Sequence, residues 1–405
     1  MMGTRVGGRR FRKRPVAAVA LALFLTYTRE VCAWSENGAP PLHFLATNDD
    51  LARSAPPNTV TFYALDADGD LSDPRVVSTG GNGIAGGFFG TARILVTAVQ
   101  GEACVYASNA QSENITGIDA REHRVAGLFH GTLEDVKIAR DGIGLALGGH
   151  YLYATFSGSG NIAAFRIQSG CKLQFEGEVH AQGLSGGTAE GIAIDNDMLV
   201  VTYGDGSIGS FDVTAGVPVA HDDAQYAPGI RDDFMPGAVD ITRDGHFAIF
   251  GGGSTASEVQ VSDISSHRIK PPVVYPLGPA WGADSVRLSP DETVLYISNN
   301  SGGRVTAAFF DKATGQVRPG CTSGPLRGYY TQFNYIGAVA TELPSGTGGT
   351  LYVPEFDGNG RSLIGLLRLT TTNGGCTLTE TAASPVGLSL DSALLSIAVY
   401  PPRPF

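Results

Sequence analysis

The sequence predicts an all-β protein, a single seven-bladed β-propeller of four-stranded antiparallel blades in which the C-terminal strand completes the first blade. Three observations carry this reading. A short strand motif recurs seven times, most copies lie 47 or 48 residues apart, and a strand missing where the repeat begins is available where it ends.

The recurring strand is β-branched or aromatic and ends in small polar residues. It reads Leu42-His-Phe-Leu-Ala-Thr-Asn48, Cys104-Val-Tyr-Ala-Ser-Asn109, Tyr151-Leu-Tyr-Ala-Thr-Phe156, Leu199-Val-Val-Thr-Tyr203, Phe247-Ala-Ile-Phe-Gly251, Leu295-Tyr-Ile-Ser-Asn299 and Leu351-Tyr-Val-Pro-Glu355. After a Gly/Asn/Ser turn a partner strand follows each copy: Thr59 to Leu65, Asn114 to Asp119, Asn161 to Ile167, Ser207 to Val213, Glu258 to Ile264, Arg304 to Phe310 and Ser362 to Leu369. Runs this short, bounded by Gly, Asn and Asp, leave no room for helices. The 55 glycines suit tight hairpins and close approach of inner strands at the axis.

Complete blades begin with an inner strand, such as Ala238 to Arg243 or Asp284 to Leu288, but the first copy starts directly at its second strand, Leu42. The missing strand is Ala393 to Tyr400, so the tail is expected to close the ring and leave no open edge. Strand order puts the second-to-third loops and the blade-to-blade crossovers on one face, and the remaining hairpins on the other. Cys104 and Cys171 then share a face in adjacent blades, and Cys321 and Cys376 hold related places in the last two. The expected disulfides are 104 with 171 and 321 with 376, although four cysteines permit three pairings and the sequence leaves them open.

Before the repeat, a basic stretch (Arg9, Arg10, Arg12, Lys13, Arg14) precedes an apolar run from Val16 to Leu25 and a small-residue site, Val31-Cys32-Ala33. The run is shorter than the ~20 residues a span requires, so residues 1–33 read as a cleavable export signal, with residues 34–405 forming one propeller. The formal charge is −11; removing seven Lys/Arg and one Glu with the signal takes it to −17. That acidity, with basic residues spread singly, argues against nucleic acid as a partner. Of the five cysteines Cys32 would leave with the signal, and the four that remain, scattered and without a Cys-x-x-Cys pair or a neighbouring His pair, favour disulfides over zinc. The expectation is a secreted or periplasmic monomer with no metal and no cofactor.

At the sixth copy stands Trp281-Gly-Ala-Asp-Ser-Val-Arg-Leu-Ser-Pro-Asp291, followed by Val294-Leu-Tyr-Ile-Ser-Asn299 and Val305-Thr-Ala-Ala-Phe-Phe310. This resembles the lactonase-type seven-bladed propellers, which include bacterial 6-phosphogluconolactonases and fungal carboxymuconate cyclases. Weaker echoes are Gly191-Ile-Ala-Ile-Asp195 with Gly206 to Asp212, Asp240 to Gly245, and Asp66 to Leu71. The resemblance implies His and Arg where inner strands open toward the axis. This sequence departs from that pattern, reading Pro236-Gly-Ala-Val239, Ser285-Val286 and Thr188-Ala-Glu-Gly191, with Glu190 the one ionisable group among the three. Lactone opening needs a base for water and donors for the oxyanion, and the set is incomplete.

Three motifs read better as loops. Gly183-Leu-Ser-Gly-Gly187 fits a nucleophile elbow but lacks the helix that must follow. Gly81-Asn-Gly-Ile-Ala-Gly86 fits a dinucleotide fingerprint but leads into Gly87-Phe-Phe-Gly90, a poor helix start. Asp66, Asp68, Asp70 and Asp73 lack the glycine and late glutamate of a calcium loop. Asn114-Ile-Thr116 and Asn299-Asn-Ser301 are sequons that matter only in a eukaryote.

The channel mouth on the crossover face is the expected site. Residues available to it are His130, Glu134, His180, Glu190, Arg231, Asp232, Trp281, Asp284, Arg327, Tyr330 and Glu355. Glu190 is the candidate base, with His180 its nearest partner in sequence. Arg231 and Arg327 would hold an anion and Trp281 would stack on a sugar, with Asp284, Tyr330 and Glu355 completing the ligand set; for each the alternative is a solvated or packed loop residue. Three functions follow: a divergent lactonase relative binding a small molecule, such as a sugar lactone, or a protein surface; a working lactone hydrolase or isomerase using Glu190; and a structural envelope protein presenting Phe88, Phe89 and Tyr329 to Tyr335.

Overall fold

A computed structural model describes residues 43–401 apart from 52–56, 85–91, 132–141, 196, 222–235, 253–257, 279–281, 284, 300–302, 329–337, 340–348, 358–360, 373–374 and 389–395. The described residues form seven antiparallel sheets. Second strands run Phe44–Asn48, Glu102–Asn109, Tyr151–Phe156, Met198–Tyr203, Phe247–Gly252, Val294–Asn299 and Thr350–Phe356, matching the seven copies of the motif. The only helix among the described residues is one 3-10 turn, Ala110–Ser112. Six sheets have four strands; the seventh gains a fifth, Val386–Gly387, which pairs with Leu363 and Ile364 of the third strand Ser362–Thr372, further along the strand from where Gly375–Glu380 pairs.

Ring closure follows the expected route. Ser396–Tyr400 pairs with Phe44–Asn48 in the register Leu45 to Val399 and Thr47 to Ile397, supplying the inner strand of blade one. Tyr400 stacks on Phe44 with ring centroids 5.1 Å apart.

The burial pattern explains why the strands lack an amphipathic face. Side chains alternate across a sheet, and here both sides of every blade face another blade. Phe44 and Ala46 join the apolar cluster between blades one and two, whereas Leu45 joins Tyr352, Ile364 and Leu366 in the cluster between blades seven and one. Seven such clusters, one per pair of neighbouring blades, constitute the core.

Aspartates ending the third strands have a local cause. Asp66, Asp119, Asp212, Asp263 and Asp311 each accept, on Oδ1, the backbone N–H two residues on, closing an Asx turn that opens the outer hairpin. The acidic run 66–73 is such a hairpin, with Gly69 at φ +80°.

The disulfides are Cys104–Cys171 and Cys321–Cys376, with Cα atoms 5.2 and 5.5 Å apart. The first staples blades two and three, the second blades six and seven. Cys104 and Cys171 are fully buried, whereas Cys321 and Cys376 are half-buried. Thiolate attack needs access, so limiting dithiothreitol followed by alkylation and mass spectrometry is expected to label Cys321 and Cys376 first. Replacing either pair by serine should cost about 2–4 kcal/mol in urea denaturation, since each bridge closes a long loop. Labelling all four cysteines together would contradict the difference in burial.

Candidate functional site at the channel mouth

Inner strands start on the crossover face and second strands return to it, so the residues before the former and after the latter share one end of the ring. Three ionisable groupings occupy this end among the described residues.

The first joins blades one and two. Asp50, in the left-handed region at φ +49°, and Arg93, just before the inner strand Ile94–Val99, form an ion pair at 2.6 Å with side chains only 2% and 5% exposed. The Ile84 N–H donates to the other Asp50 oxygen at 3.0 Å. The Arg93 backbone is held as well: its N–H donates to Ser396 Oγ on the closing strand, and its carbonyl accepts from the Asn48 amide. Asp49 accepts hydroxyls from Thr47, Thr59 and Thr61 at 2.6, 2.5 and 2.8 Å. Burial pushes its carboxyl up to about 6, while the three hydroxyls pull the other way. Beside it runs an asparagine chain in which Asn58 donates to Asn48 and Asn109, and Asn109 donates to Asn114 and Thr116. The sequon asparagine Asn114 is thus buried and engaged.

The second grouping is on blade four. Glu190 is the second residue of the inner strand Ala189–Asp195, where the register slips between Ala189 and Ile192. A bulge re-aims side chains, and here it leaves Glu190 half-buried with its carboxylate over Gly204. A Cβ at 204 would lie 2.6 Å from Glu190 Oε1. The next residue, Gly191, packs so close to the Gly237 carbonyl of blade five that any Cβ there would overlap it. Thr155 from blade three donates to the Glu190 carbonyl at 2.9 Å, fixing the strand from the other side. Gly183 to Gly187 wraps over Asp205, which accepts from the Ser185, Gly187 and Ser207 amides and the Ser207 hydroxyl. Burial works to raise the Asp205 carboxyl, and these hydrogen bonds outweigh it and hold the group below its ordinary value. The segment is a carboxylate-centred turn with no elbow geometry. Gly81 to Ile84 is likewise a crossover turn, with Gly83 N–H on the Leu51 carbonyl at 2.7 Å.

The third is on blade seven. Glu355 is fully buried and accepts the Gly328 N–H at 2.8 Å. Arg327 ion-pairs with Glu380 at 3.1 Å and donates to the Thr381 carbonyl, so its side chain is committed to the outer strand.

His180 ends an outer strand, where it is exposed and its ring contacts Asn161 at 3.1 Å; no ion pair joins it to Glu190 among the described residues. His130 is exposed at the end of the outer strand of blade two. Glu134, Arg231, Asp232, Trp281, Asp284 and Tyr330 lie outside the described residues, as do Phe88 and Phe89 and the stretch Tyr329 to Tyr335.

With this geometry in hand, solved structures give the comparison. The periplasmic gluconolactonase of Pseudomonas aeruginosa superposes with a TM-score of 0.64 at 15% identity, over 88% of this chain and 99% of that one. The chain shares the seven-bladed propeller architecture of that enzyme. A candidate 6-phosphogluconolactonase of Bacteroides fragilis gives 0.63 at 13% identity over 87% and 98%. A protein of unknown function from Desulfotomaculum acetoxidans gives 0.61 at 14% over 89% and 99%. No protein-family model and no curated relative matches the chain. At such identities the shared property is architecture.

Proposed function

We propose that this is an extracytoplasmic propeller of the lactonase-like type that binds a small polar molecule, such as a sugar lactone, at its crossover-face mouth, with Glu190 accepting hydrogen bonds from the ligand. The half-buried Glu190 carboxylate on its bulge carries the reading, because a partly desolvated carboxylate at the start of an inner strand is a strong hydrogen-bond acceptor. Two disulfides support an oxidising compartment. Among the described residues no helix is long and apolar enough to cross a membrane.

The same carboxylate supports a second reading, a lactone hydrolase in which Glu190 takes a proton from the attacking water. Calorimetry and ring-opening assays on a panel of sugar lactones, one of them phosphorylated, separate the two. Binding without ring opening, weakened roughly 10- to 100-fold by Glu190→Gln, is the expected result. A ring-opening rate that collapses by orders of magnitude in the same variant would replace binding with hydrolysis. A panel that binds equally well to both proteins would remove Glu190 from the site.

A further inference from the structure

Glu355 occupies a place the other blades fill with uncharged residues. Aligning Val-Tyr-Ala-Ser-Asn109, Leu-Tyr-Ile-Ser-Asn299 and Leu-Tyr-Val-Pro-Glu355 sets it opposite Asn109 and Asn299, and Phe-Leu-Ala-Thr-Asn48 sets it opposite Asn48. Its carboxyl lies in a slot made by two glycines from different segments. A Cβ at Gly328, on the crossover from blade six, or at Gly365, on the third strand of blade seven, would overlap a carboxyl oxygen. One oxygen accepts the Gly328 N–H, and Oε1 has no hydrogen-bond partner among the described residues.

The crossover is gripped twice in succession. The Arg327 N–H donates to Glu380 at 2.9 Å and the Gly328 N–H to Glu355 at 2.8 Å. The two grips differ in character. Glu380 pairs with the Arg327 guanidinium and accepts the Ser384 hydroxyl at 2.6 Å, so both of its oxygens have donors. Glu355 has one donor and one unserved oxygen in a buried slot, which suits a neutral acid and penalises an anion.

We propose that Glu355 is a proton-operated latch on residues 324–328, where the chain leaves blade six: neutral, it stays in its glycine slot and holds Gly328; ionised, it is driven out and residues 324–328 are freed. Among the described residues, the charged groups acting on it are Glu380, on the outer strand, which opposes ionisation, and Arg327, on the crossover, which favours it. Burial is the larger influence, and together with Glu380 it pushes the Glu355 carboxyl up to about 8, so release belongs to the mildly alkaline range. A group whose folded value lies above its unfolded value stabilises the closed state fully at low pH, and that contribution is lost as pH rises to the folded value.

Hydrogen–deuterium exchange of the peptide spanning Gly324 to Gly328, corrected for intrinsic exchange and followed from pH 6 to pH 9.5, tests the latch without any ligand. Protection in the wild type is expected to fall by about tenfold between neutral pH and pH 9. Glu355→Gln, which keeps an acceptor for Gly328 and cannot ionise, should give a flat profile, and Glu380→Gln should move the wild-type midpoint to lower pH. Melting temperatures of wild type and Glu355→Gln should converge near pH 5 and separate at pH 9 in favour of the variant. A flat wild-type profile, or a Glu355→Gln profile that follows the wild type, would overturn the proposal.

Discussion

A chain ending at residue 395 is expected to lose the cooperative unfolding transition of the full-length protein, and a synthetic peptide of residues 396–405 added in trans should restore it. The deleted strand is the whole inner strand of blade one, paired residue for residue with Phe44–Asn48. Without it, that strand presents an unpaired edge at the centre of the ring. Ile397 and Val399 leave the cluster that joins blades seven and one, where they pack with Leu45, Tyr63, Tyr352, Ile364 and Leu366. Phe44 loses the Tyr400 ring, and the Arg93 N–H loses Ser396 Oγ. Burying two large aliphatic side chains and an aromatic ring contributes about 5–8 kcal/mol, a large fraction of the stability of an ordinary domain. Circular dichroism melts with and without the peptide give the readout. A truncated chain that melts as sharply and as late as the full-length protein would show that the interblade clusters hold the ring without its closing strand.

Which parts of this fold were legible in sequence depends on how many neighbours each strand has. Second and third strands are buried between two blades on both faces, so they must be continuous apolar runs, and Tyr151–Phe156 was readable to the residue. Outer strands have a partner on one edge only. They shrink to Val219–Ala220 in blade four and carry exposed valines at 273 and 274 in blade five, with no pattern to read. The asparagines and aspartates ending the strands were visible as a motif, but their reason was not. The Asx turns are local, whereas the asparagine chain exists only where blades one and two meet.

The site was less legible for a related reason. Glu190 could be found because it is a lone ionisable residue at the start of an inner strand, although the bulge that aims it could not. Asp50 and Arg93 are 43 residues apart, and only the ring topology brings a second-to-third loop against the next inner strand. The glycine run between them, Gly81 to Gly86, matches a dinucleotide fingerprint and reads as a loop, and nothing in that pattern points to Arg93. Arg327 looked like an anion-holding group, but its partner Glu380 lies 53 residues on and becomes its neighbour only when the crossover meets the outer strand of blade seven.

The buried pair at the seam makes the second large prediction: Arg93→Met should destabilise the protein by about 3–5 kcal/mol, because it leaves the Asp50 carboxylate buried without its counter-charge. Asp50→Asn should cost less. Asparagine tolerates the left-handed backbone at position 50 and still offers an oxygen to the Ile84 N–H. The double variant Arg93→Met/Asp50→Asn removes both charges and should recover at least about 1 kcal/mol over additivity in a urea double-mutant cycle. Strict additivity would mean that the pair contributes nothing as a pair. Position decides the wider consequence. The Arg93 backbone contacts the closing strand through Ser396, and its side chain reaches the loop of blade one through Asp50, so it ties the inner start of blade two to both ends of the chain that complete blade one. A defect there should therefore weaken closure as well as global stability: in the split protein, Arg93→Met is expected to loosen the hold on the 396–405 peptide, whereas replacing the distant Cys321–Cys376 bridge is not.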